Sequence, residues 1–447
     1  MRSAVSRALV TASVLLAACG GGTVGDGATG PDPKPDTTTT GNPGTVQRSS
    51  ITIRVTVDPA DVAIATAAGV TTAAVPVRLT RVGGTEAPRT GITGGDGRVT
   101  FAGLLEGTYE LTVERRLSAS ELAQLPAGDR DASVLAAGTQ LFLSPPVNRA
   151  LELALVATRR GSLVISEVFP FNMGLETNVG YGFGTYLEVY NNSDTTSYLD
   201  GMLLAQTSLT LHYGFSQYPC ASVNTAARLD STGVAVILIH GFPGGGREYP
   251  VLPGEAKVIA VDAMDHNAAR PDGGQLDLSR AAFEQIGNEA DIDNPFVPNM
   301  LRVQAGSGIF GRGYPHQVSP VAYVLALPAS LSSLTKIQLV ATTGASGGGE
   351  LYDSWVIPRG KVLDILGLDS TPEAIAQSAQ RGTLRCDPWL APAFERAPAN
   401  LVNTRLRKAI SRKSLGRTAD GREILQRTRT SARDFEYAEP LRRSLLK

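Results

Sequence analysis

Apolar and polar positions alternate in short runs along most of the chain, and few stretches repeat at helical spacing, which predicts a β-rich protein. ITIRVTV (51–57) and VPVRLTRV (75–82) read as half-buried strands. Gly94-Gly95-Asp96-Gly97 predicts a turn, Val99–Phe101 a strand, Glu106-Gly107-Thr108 a second turn and Tyr109–Val113 a further strand. LELALVAT (151–158) closes this first set. Between them, SASELAQL predicts a short helix, capped by Ser118 with Glu121 three residues on. A second set begins with GSLVISEVF (161–169) and Tyr186–Tyr190, followed by the turn Asn191–Asp194. VAVILIH (234–240) reads as one core strand and KVIAV (257–261) as another. KIQLVAT and ELYDSWVIP flank the glycine-rich 343–349 as the arms of a hairpin, and LSRAAFEQI (278–286) reads as a helix started by Asp277.

The N-terminus changes the picture from fold to location. Arg2 and Arg7 precede an apolar run, and Leu16-Ala17-Ala18-Cys19 matches a lipoprotein cleavage box, so residues 1–19 are expected to be a signal peptide with Cys19 acylated. Residues 20–48 hold almost no large apolar side chain and predict a disordered tether. Gly20 is not the aspartate that commonly retains lipoproteins in the inner membrane, so the expected address is the outer membrane, on its periplasmic or surface-exposed face. With 41 basic and 42 acidic residues the chain is close to neutral, which argues against a nucleic-acid partner. Only the stretch Arg405–Arg433 is strongly basic, and it reads as a solvated segment near anionic lipid. With Cys19 acylated, Cys220 and Cys386 remain as a disulfide candidate suited to an oxidising compartment; two free or buried thiols are the alternative.

Thr93, Asp96, Gly97, Phe101, Leu104, Gly107, Tyr109 and Leu111 resemble the hairpin signature of carboxypeptidase-regulatory-like and Cna-B-like β-sandwich modules, which serve as spacers and binding platforms. YLEVYNNSD leading to YLDG resembles the opening of a lamin-tail type of immunoglobulin-like sandwich. Together with REYPVLPGEAKVIAVDAMDHN, LDLSRAAFE, DIDNPFVPNM and TADGREILQRT, in that order, it is similar to a family of bacterial outer-membrane lipoproteins known only as a domain of unknown function. The resemblance spans residues 160–437 and implies no established activity.

Three constellations bear on chemistry. VILIHGFPGGG and the G-x-S-x-G run 344–348 suggest a serine hydrolase with Ser346 as nucleophile. Its histidines, His212, His240, His266 and His316, all precede Ser346, so only an unconventional triad order would serve. Pro243, Gly244–Gly246, Pro250, Pro253 and Gly254 also exclude the helix that should follow the first of these motifs. Asp262, Asp265 and His266, with Asp272, Asp277, Asp291 and Asp293, form an oxygen-rich stretch of the kind calcium uses, but without EF-hand spacing, and it reads better as a polar loop with Asx turns. Tyr181, Phe183, Tyr186, Tyr213 and Phe215 offer either a binding patch or cover for the core.

The expectation is therefore an all-β protein: two immunoglobulin-like sandwiches in tandem (49–158 and 160–370), few short helices and an irregular basic extension (371–447). No cofactor is expected. The expected function is non-catalytic: a binding or interaction module, accessory to an outer-membrane barrel or transporter. The alternatives are the hydrolase or a purely structural surface spacer.

Overall fold

The computed structural model describes residues 47–447 except 128, 171, 174–179, 182–183, 209–210, 216–217, 270–275, 286–292, 305–320, 342–348, 380–382, 403–405 and 445–447. In the first module, β1 (Ser49–Val57), β2 (Pro76–Arg81), β3 (Arg89–Ile92), β4 (Arg98–Leu104), β5 (Gly107–Arg116), β6 (Val134–Leu143) and β7 (Asn148–Thr158) join in the order β3-β2-β5-β6-β7-β1-β4. All pairs are antiparallel except β1 with β7. Alternation sends Ile51, Ile53 and Val55 of β1 inward, where they meet Val77, Leu79, Leu111, Val113, Leu153 and Leu155 from both halves of the curled sheet. Helix α1 (Val62–Ala67) follows β1, and α2 (Ala119–Gln124) begins with the reciprocal Ser118–Glu121 cap that its sequence predicts. Gly97, at φ +74°, has no room for a side chain: a Cβ there would lie 2.9 Å from the Val55 carbonyl. That explains the glycine in the turn before β4.

The second region holds two six-stranded sheets face to face. One runs Phe283–Glu284, Ala256–Ala260, Tyr186–Asn191, β8 (Leu163–Phe169), Ala409–Arg412, Phe435–Ala438. The other runs Leu301–Gln304, Leu238–Gly241, Leu203–Gln206, Val321–Ala326, Val362–Ser370, Ala399–Val402. Ile165, Leu187, Val189, Ile259 and Ile410 of the first meet Leu204, Val321, Tyr323, Leu325 and Leu366 of the second. A three-stranded sheet (Gly233–Val236, Leu351–Pro358, Thr335–Val340) covers the outer face of the second through Val234, Val236, Trp355 and Ile357. Val321–Ala326 is thus buried on both faces, which is why VAYVLA shows no alternation.

Three expectations change. VAVILIH is two strands, not one: the chain bends at Ile237, whose N–H donates to the Gln206 carbonyl, and passes from the small sheet to the large one. LSRAAFEQI forms a turn and a strand rather than a helix; Asp277 Oδ1 accepts from the Ser279 N–H and hydroxyl, and Phe283 enters the core against Phe242 and Tyr249, each ring 5.1 Å away. The basic segment after residue 371 is not a solvated tail. Ala409–Arg412 pairs with β8 and with Phe435–Ala438, and Ala399–Val402 pairs with Val362–Ser370. Several of its arginines reach acids distant in the chain, Arg433 to Asp61 and Arg429 to Asp131 among them. Arg412, 1% exposed, donates to Asp364 (2.6 Å), Asp434 (3.3 Å) and the Ile165 carbonyl (2.9 Å). Cys220 and Cys386, separated by 166 residues, are disulfide-bonded with Cα atoms 5.3 Å apart.

Gln47–Lys447 packs as one unit. The hairpin of Ser414–Arg417 and Glu423–Leu425 lies on β5 and β6, with Leu415 and Ile424 against Val134, Ala136 and Val156. Backbones touch there: a Cβ on Gly138 would come within 2.6 Å of Gly416. Ion pairs frame the seam, Arg433 with Asp61 (2.6 Å) and Arg160 with Glu114 (2.8 Å).

Candidate ligand-binding site

Beside that seam opens a cleft of about 430 Å³. Each wall comes from a different part of the chain. The loop after α2 supplies Arg130 and Asp131; the turn between Leu351–Pro358 and Val362–Ser370 supplies Arg359; the C-terminal segment supplies Arg427 and Arg429. Val362, Ile365 and Phe394 form an apolar side, and Asp364 and Asp434 lie at the floor.

The two buried acids here are already satisfied, and the half-exposed Asp131 is paired. Asp364 accepts from the Ile165 N–H (2.9 Å), Arg412 (2.6 Å) and Arg427 Nε (3.0 Å). Asp434 accepts from Arg412 and from the Thr428 N–H and hydroxyl, both 2.8 Å. Asp131 pairs with Arg429 (2.5 Å) and Arg159 (2.9 Å); burial opposes its ionisation, but these two arginines hold its carboxyl below the ordinary range. Positive charge is in excess. Burial, then the Arg429 charge, pushes the guanidinium of Arg159 down to about 10. At the mouth, among the described residues, Arg359 makes no side-chain hydrogen bond or ion pair, and Arg130 spends only Nε, on the Leu125 carbonyl (3.1 Å). Unspent guanidinium donors above satisfied carboxylates make an anion receptor.

Those candidate site residues singled out from sequence that the structure describes do not line this cleft. Ser346 and His316 fall outside the described residues. His240 sits in the strand Leu238–Gly241, 1% exposed, and burial lowers its pKa to about 4. His212 is buried against Trp389, ring centroids 4.1 Å apart, with Thr207 Oγ1 at 2.7 Å from Nε2. His266 Nε2 lies 2.9 Å from the Asp262 carbonyl, and Asp265 Oδ1 accepts from the Asn267 and Ala268 N–H groups, as an Asx turn does. Asp293 accepts from Asn299, while Asp291 and Asp272 lie outside the described residues. Among the described residues no three His, Cys, Asp or Glu side chains gather to hold a metal. Tyr186 is fully buried, stacked on Phe169 and donating to Glu167. Phe183 and the side chains of Tyr181, Tyr213 and Phe215 lie outside the described residues. The cleft's own arginines carry no motif. Only Arg427 and Arg429, two apart in the basic run, give a local signal; nothing in the sequence joins them to Arg130 or Arg359.

Comparison with known proteins follows the architecture of the second region. Residues 252–441 match the family described as "Protein of unknown function (DUF4876)". The stretch runs from the turn before Ala256–Ala260 to Leu441 and includes Arg359, Asp364, Arg412, Arg427 and Arg429. A crystal structure of a DUF4876 family protein from Bacteroides thetaiotaomicron VPI-5482 is similar over 89% of this chain and 97% of its own, with 18% identity and a TM-score of 0.51, so the two share a fold. A DUF3823 family protein from Parabacteroides merdae (11% identity, 70% of this chain, 99% of its own, TM-score 0.16) and the shaft pilin SpaA from Lactobacillus rhamnosus GG (9%, 66%, 91%, 0.15) match too weakly to carry an argument. No curated protein matches the sequence.

Proposed function

We propose that this protein is a non-catalytic binding module of the cell envelope, held on the outer membrane by acyl chains on Cys19, with the arginine-rimmed cleft as its ligand site. One observation carries the reading: Arg130 and Arg359 stand with unspent donors over carboxylates that are already satisfied. The LAAC box and the following run of small and polar residues support the anchor. An anchored binder suits a role beside an outer-membrane barrel or transporter, handing on or withholding an anionic ligand. A photo-crosslinking residue in place of Ala393, which lines the cleft without supplying a charge, should yield a discrete adduct in the outer-membrane fraction of cells making the full chain. A Cys19→Ser chain should leave that fraction. No adduct, or fatty-acid labelling of the Cys19→Ser chain, overturns the respective half of the proposal. Labelling by a fluorophosphonate that Ser346→Ala abolishes would replace it with the hydrolase.

A further inference from the structure

We infer that the cleft takes a phosphate ester: the phosphate between Arg130 and Arg359, the organic part against Val362, Ile365 and Phe394. The inference rests on the reading of the cleft as the ligand site and names the ligand class. Two features select that class. The first is charge. Arg359 and Arg130 come from different parts of the chain, and among the described residues neither has an ion-pair partner. Arg427 and Arg429 also line the cleft and are tied to Asp364 and Asp131, which fixes their positions. Two planar forks in a cleft where, among the described residues, four lining arginines outnumber three lining aspartates suit a dianion with three terminal oxygens better than a monoanion. The second is size. About 430 Å³ is far more than a free phosphate fills, and the lining includes the apolar Val362, Ile365 and Phe394. A phosphate with a ring or chain attached uses both.

The phosphate ester, a monoester in either case, has two sources with the same chemistry, a soluble sugar phosphate or the headgroup of phosphatidic acid. Calorimetry on the full chain carrying Cys19→Ser separates them. Glucose 6-phosphate should bind at least tenfold more tightly than inorganic phosphate, and glucose should give no heat. Arg359→Ala and Arg130→Ala should each weaken glucose 6-phosphate binding at least tenfold, with Arg359→Lys recovering part of the loss. Lys336→Ala, far from the cleft in sequence and paired with Asp353, should change nothing. Both arginines are exposed, so these variants should fold. If vesicles containing phosphatidic acid, but not vesicles of phosphatidylcholine alone, capture the chain in an Arg359-dependent way and compete with glucose 6-phosphate, the source is the lipid and the class stands. Glucose 6-phosphate binding equal to that of inorganic phosphate, or unmoved by Arg359→Ala, overturns the inference. An adduct from position 393 that no phosphate ester suppresses would overturn it while leaving the cleft a ligand site; absence of both adduct and binding overturns the site as well.

Discussion

The first module and the second region are both built of strands, yet they bury different things. The module's main core cluster is apolar, with Asp61 its one deeply buried acid among the described residues, and its hairpins β2–β3, β5–β6 and β6–β7 join strands that follow one another in the chain. The second region buries Glu167, Glu188, Asp364, Arg412 and Asp434, each 4% exposed or less, and its central strand β8 takes a partner from residues 409–412. The difference concerns register. A hairpin's turn sets how its strands align, whereas a strand arriving from far along the chain has no turn to set it. A one-residue slip of Ala409–Arg412 would swing Arg412 to the other face, leaving Asp434 without its guanidinium and Asp364 with Arg427 alone. The buried ions act here as an alignment key.

The largest break in this comparison should come from Arg412→Ala. Removing one partner of a buried ion network costs about 3–5 kcal/mol. Hydrogen exchange should show β8 and Ala409–Arg412 losing protection while β5 and β6 keep theirs; equal loss in both would abolish the distinction between the regions. Next comes the disulfide. Cys220→Ala with Cys386→Ala releases a constraint spanning 166 residues and should lower stability by about 2–4 kcal/mol, read as a shift in denaturant midpoint confined to the second region. Third is pH. Burial, then the nearby charge of Glu167, raises the Glu188 carboxyl to about 8 from an unperturbed 4.5. The folded state therefore holds the proton more tightly than the unfolded chain. The stability this contributes is complete below about 4.5 and is lost as pH rises through about 8. Glu188→Gln, able to keep the contact with the Ser166 hydroxyl (2.7 Å), should flatten that slope, a difference on the order of 2 kcal/mol across the window. A parallel pH profile would sink the assignment. The smallest effect belongs to the first module: Ser118→Ala removes the cap of α2 and should cost about 1 kcal/mol there alone, without moving the second region.

The same contrast explains what could be read from sequence. β1, β5, β7 and the Ser118–Glu121 cap were legible because each signal lies within a few residues: alternation, a turn, a capping pair. Thr335–Val340 and Leu351–Pro358 pair as the glycine-rich link between them predicts. The bend at Ile237 was not legible, since a strand buried on both faces has no polar beat to mark where it changes sheets. Leu278–Ile286 carries helix-forming residues, but Phe283 gains more from the core than from helix propensity. The basic segment misled for a related reason. Composition reports charge but not the partner, and Asp61, Asp364 and Asp131 lie far from it along the chain. The cleft was invisible on the same ground, because its arginines meet only after folding.

The late pairing of β8 has a consequence in time. A ribosome adds roughly 5–20 residues each second. From Phe169 to Ala409 that leaves roughly 10–50 s in which one side of β8 has emerged and its neighbour does not yet exist. An unpaired edge invites wrong partners throughout that interval. A chain cut short before Ala409 keeps the edge open for good, and Asp364 keeps its charge without Arg412. Quality control would thus read the edge of one strand to tell a finished molecule from a fragment.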